Sequence, residues 1–102
     1  MKTSMKLAEV IRTLVDMAES DDGDRYFEIT QAIALIFPAA LIEQLEQLVR
    51  GPVWDGDIIS KTYRDELFDM GLAIRVCCKG EQGYTGAKYT AYTVVKKLPA
   101  KV

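Results

Sequence analysis

The chain has 102 residues, 49% of them hydrophobic and 27% charged, with 13 basic and 15 acidic side chains and no histidine. That length suits one domain, and the apolar share is ample for a packed core, which excludes an intrinsically disordered polymer. The missing imidazole removes the commonest general acid–base group and the usual neutral-pH metal ligand.

Other classes fall for similar reasons. The longest apolar run, residues 32–42, is interrupted by Pro38 and is far shorter than the roughly 20 residues that span a bilayer. Residues 1–6 are mildly basic, but Glu9, Arg12 and Asp16 interrupt the apolar residues behind them. No signal peptide is expected, and the chain reads as cytoplasmic. Cys77 and Cys78 are adjacent; on a strand they point to opposite faces, which predicts two free thiols, buried or half-buried, in a reducing compartment. Two neighbouring thiols cannot build a four-ligand zinc site. Dinucleotide, phosphate-loop and serine-nucleophile motifs are absent. Carboxylate pairs such as Asp55 and Asp57 arise by chance among 15 acids. The expectation is a non-catalytic protein with no metal and no cofactor.

In chain order, Leu7, Val10, Ile11, Leu14 and Ala18 share one helical face, which predicts a helix over residues 4–19. Residues 20–24, SDDGD, read as a solvated acidic loop, since the full calcium-loop spacing is lacking. Residues 26–37 are apolar on nearly all sides after Gln31. They suit a buried helix starting near Thr30 or a strand at residues 33–37. Helix is favoured because Ala32 and Ala34 are poor strand formers. So apolar a segment also makes residues 29–37 a candidate homodimer contact. Pro38 marks a boundary and opens a third helix. Its inner stripe is Leu41, Ile42, Leu45, Leu48 and Val49, with Glu43, Gln44, Glu46 and Gln47 towards water. Gly51 and Pro52 stop it. Trp54 reads as a core plug in preference to an exposed contact.

Ser60 has the chemistry of a helix cap. Ile59, Tyr63, Leu67 and Met70 form the inner stripe of the helix behind it, and Gly71 is placed to end it. From Leu72 to Cys78 the period changes to two. Residues 87–95, rich in Tyr, Thr and Val, read as the second strand of a hairpin.

The order of these residues, Ser60, Arg64, Leu67, Gly71, Leu72 and Arg75 in the spacing S-x3-R-x2-L-x3-GL-x2-R, resembles the passage from recognition helix into wing in winged helix-turn-helix regulators of bacteria and phages. The resemblance covers residues 60–97. It implies one domain over residues 1–102, mainly α with a C-terminal β-hairpin: helices over 1–50, then a recognition-type helix and two antiparallel wing strands over 51–102. Residues 53–59 are too short for the helix that normally precedes a recognition helix, so either the third helix plays that part across a long turn or the scaffold is truncated.

The resemblance further implies a face for a ligand. Lys61, Thr62 and Arg64 could contact base or phosphate, and Lys79, Gln82, Tyr84 and Lys88 would form a basic wing tip that holds phosphate or stacks on a base. The same lysines could simply solubilise strand edges. Phe68, if the phasing holds, is an exposed aromatic beside Arg64, a composition typical of protein-contact centres; a slip of one residue would tuck it into the core. Residues 55–70 hold five acids and two bases, a net of −3, whereas residues 71–102 hold six bases and one acid, a net of +5. Two functions are therefore expected to compete. The first is a small DNA-binding transcriptional regulator, and the second is an acidic module, of the inhibitor or adaptor kind, that binds a protein.

Overall fold

Helices at the N-terminal end follow the apolar spacing, except that Val10 of the expected first stripe is exposed and Val15, outside it, is buried. In the computed structural model, which describes residues 3–20 and 23–99 (backbone only at 3–6), α1 spans Thr3–Ser20 and buries Ile11, Val15 and Ala18. Asp21 and Asp22 of the acidic loop and Lys101 of the basic C-terminal stretch lie outside the described residues. The segment left open between helix and strand is a helix, α2, Tyr26–Ile36. Its buried positions, Tyr26, Thr30, Ile33 and Ala34, recur at the three-to-four-residue spacing of one helical face. Phe37 and Pro38 are both extended, and α3 runs over Ala39–Val49 with Pro38 as its N-cap.

The second half departs from a plain succession of helices followed by two strands. A short strand, β1, Val53–Trp54, and a 3-10 turn, Asp55–Asp57, come before α4, Lys61–Asp69. The hairpin is β2, Ala73–Cys78, and β3, Glu81–Ala87, and the sheet is antiparallel in the order β1-β3-β2. Residues 87–95, expected to be the second strand, contribute only Ala87 to it, and Tyr89–Lys97 form a fifth helix, α5.

Burial explains that last difference. Thr90, Ala91 and Val94 are buried, a helical stripe that closes the core. Fully burying a valine contributes about 1.5–3 kcal/mol. Against that, the penalty for placing Tyr, Thr or Val in a helix is at most about 0.7 kcal/mol each. Lys96 and Lys97 lie in the final turn, where cations favour the helix C-terminus. The core joins Ile11 and Val15 of α1, Ile33 of α2, Leu41, Leu45 and Leu48 of α3, Leu67 of α4 and Val94 of α5. No helix among the described residues is long and apolar enough to cross a membrane.

Candidate interaction face of α4 and the hairpin

Both ends of α4 are set by local chemistry. Ser60 is extended and its Oγ accepts from the Tyr63 amide at 3.2 Å, which satisfies a donor that the helix itself leaves unpaired. At the other end the Leu72 amide donates to the Leu67 carbonyl and the Gly71 amide to that of Phe68, each at 3.0 Å. This is the paired closure that needs a left-handed residue after the cap, and Gly71 supplies it with φ 79°. Leu67 and Met70 face the core and Tyr63 is half-buried, but Ile59 precedes the helix and is exposed.

The orientation of α4 is fixed by two glutamines that sequence reasoning placed in water. Gln44 is fully buried. Its Oε1 accepts from the Ser60 amide at 2.7 Å, and its Nε2 donates to Gln47 Oε1 at 2.8 Å. Gln47 in turn accepts from the Ile59 amide at 3.1 Å and donates to the Asp57 carbonyl at 2.7 Å. Three polar groups of the segment leading into α4 thus find partners on α3, so burying Gln44 leaves nothing unsatisfied. The i, i+3 spacing of Gln44 and Gln47 on the edge of an apolar stripe was the available signal.

On the outer side of α4, Asp55 draws two arginines together. Arg75 Nη1 donates to Asp55 Oδ1 at 2.7 Å and to Oδ2 at 3.0 Å. Arg64 reaches the same carboxylate at 3.4 Å and holds Asp65 at 2.9 Å, and its side chain is only 11% exposed. Phe68 is half-buried against the core edge, with the guanidinium carbons of Arg64 and Arg75 at 5.9 and 5.3 Å from its ring centroid, within range for cation–π attraction. The two phasings considered for Phe68 are both partly realised: it touches the core and also floors a surface cluster.

The hairpin turns at Lys79 and Gly80, both at positive φ, the pattern of a two-residue type I′ connection. The register shifts between Val76 and Cys78, which leaves Cys77 opposite both Gln82 and Gly83. Cys77 is exposed and Cys78 half-buried, and both thiols are free. Trp54 is not a core plug. It is 44% exposed because the two residues of β1 alternate faces and Val53 takes the inward position. Its ring lies over Gly83 and meets Tyr84 edge-on at 5.3 Å.

Of the residues predicted for a ligand face, Arg64 and Phe68 are brought together in the Asp55 cluster, whereas Tyr84, paired with Trp54 and Val76, lies on the other face of the sheet from Arg75. Lys61 and Thr62 are in the first turn of α4, both exposed, and Lys79 and Gln82 lie near the hairpin tip. Lys88 belongs elsewhere: it is the N-cap of α5, and its Nζ pairs with Glu19 at 3.0 Å. Asp55 and Arg75 are the organising pair that sequence reasoning did not place in the face. Residues 55–81 contain six acids and four bases, a net of −2 for the segment. Among the described residues, no group of three or more Cys, Asp and Glu side chains gathers as metal ligands. The sequence matches no protein-family model, and neither a curated protein nor a solved structure matches it.

Proposed function

We propose that this chain is a non-catalytic, winged-helix-like binding module whose α4–hairpin face docks a protein. The winged-helix likeness is supported by a capped helix that passes through Gly71 into a sheet of order β1-β3-β2. The 3-10 turn Asp55–Asp57 stands where such a scaffold has a full helix. The observation that carries the choice of partner is the sharing of Asp55 by Arg64 and Arg75. The arginine best placed to read a base is enclosed and neutralised. What remains outward of this cluster is Phe68, half-buried, and the half-exposed Arg75, residue types that anchor protein interfaces, whereas Trp54 and Tyr84 pair on the other face of the sheet.

Duplex DNA is the second reading, favoured by Lys61 and Lys79, which make no ion pair among the described residues. Phosphate contacts dominate DNA affinity, and two of them would give a salt slope of about 2 on a log–log plot, against roughly 5–9 for a protein making 6–10 contacts. Asp55 and Asp65, which hold Arg64 and Arg75, oppose even that.

The test is affinity capture from cells that naturally express the protein, followed by titration with the purified partner. The Arg75→Glu and Phe68→Ala variants are expected to lose about tenfold or more in affinity, and Lys79→Ala to bind as the parent does. Salt-sensitive binding of mixed duplex DNA that the Lys61→Ala/Lys79→Ala double variant loses would instead establish the second reading.

A further inference from the structure

On the side of the hairpin away from Asp55 lies a separate cleft, between the end of α1, the start of α2 and the start of α5. We propose that it binds a small aromatic anion. Its volume is about 640 Å³, within the range of roughly 300–1,000 Å³ occupied by small-molecule sites. Ala18, Ile74 and Ala87 contribute apolar lining. One side is aromatic: Tyr26 meets Phe27 edge-on at 5.3 Å and stacks with Tyr89 at 5.9 Å with an interplanar angle of 26°. Tyr89 is 75% exposed, unusual for a ring that lines a cleft, and a planar ligand would cover it.

The polar end determines the charge of the ligand. Glu19 uses both carboxylate oxygens, one for Lys88 Nζ and the other for Thr90 Oγ1, each at 3.0 Å. The carboxylate is therefore occupied. An ammonium has three donors, and Lys88 directs one to Glu19, leaving donors for a ligand oxygen. A second cation is close by, with Lys97 Nζ 5.6 Å from the Phe27 ring centroid. Flat apolar walls with a lysine at one end suit an aromatic ring bearing a carboxylate or sulfonate, which forms charge-assisted hydrogen bonds. This site is independent of the α4–hairpin face and of the reading given to that face.

The experiment is a titration of the full chain with 8-anilinonaphthalene-1-sulfonate, followed by fluorescence and calorimetry, beside its neutral relative N-phenyl-1-naphthylamine. The sulfonate is expected to occupy one saturable site per chain. Tyr89→Ala should weaken both probes about tenfold through loss of the ring contact. Lys88→Gln should weaken the sulfonate about tenfold and leave the neutral probe unchanged. Circular dichroism melts of each variant confirm folding, and Tyr89, being exposed, supplies the variant that does not disturb the core. Absence of saturable binding overturns the proposal, as does equal loss of both probes in Lys88→Gln. A dimer in sedimentation that Tyr89→Ala dissociates, with no probe bound, would assign the cleft to a second copy of the chain and equally overturn it.

Discussion

Trp54 and Gly83 show how far a single side chain can depend on the absence of another. A Cβ built on Gly83 would lie 2.7 Å from Trp54 Cζ3, on a backbone with φ 98°. Gly83→Ala is therefore expected to lose about 1–2 kcal/mol from the backbone conformation alone and to push the indole outward. Trp54 is the chain's one tryptophan, so a red-shifted emission maximum and a lower urea midpoint would report both effects together. Lys79 is the reverse case. It holds φ 55° without being a glycine, at a turn position that asparagine favours. Lys79→Asn should raise stability by about 0.5–1 kcal/mol, seen as a higher urea midpoint at unchanged slope.

Among elements, α4 is the one held most deliberately. Its ends are closed by Ser60 and Gly71 and its approach is tied to α3 by Gln44 and Gln47. Gln44→Ala would strand the Ser60 amide and remove a partner of Gln47, with an expected loss of about 2–3 kcal/mol. Hydrogen exchange at the Ser60 amide should quicken more than at core amides of α3. The cap, the glycine stop and the inner stripe of α3 were legible in the sequence because each is written within a few turns of neighbouring residues; the stripe of α1 was legible at Ile11 and Ala18 but not at Val15. Gln44 was not legible, because its partner lies 16 residues away and polarity alone sends it to water. Nor was α5, where strand-favouring residues are overruled by burial against distant helices. The candidate face was legible in its residues, Arg64 and Phe68, but not in its arrangement. Nothing local announces that Asp55 would gather two arginines.

For the molecule as a whole, α5 is the closing wall. Ala91 and Val94 are fully buried in the same cluster as Ile33 and Leu45, so both halves of the chain depend on it. A chain ending at residue 87 is expected to lose cooperative folding, and its circular dichroism melt should lack a sigmoidal transition. Strand β2 has a comparable reach, because it walls two places at once. Ile74 lines the aromatic cleft, and Arg75, its neighbour, points across the sheet to Asp55.

That alternation constrains how the gene can drift. Substitutions can retune either face alone, but a one-codon change early in β2 exchanges the faces: a deletion sends Arg75 into the cleft, and an insertion sends Ile74 to Asp55. The irregularity in register lies beyond Val76, towards the tip. An odd change in hairpin length can be absorbed there without reaching Ile74 or Arg75, so length variation among descendants of this chain belongs at the tip and nowhere nearer the base.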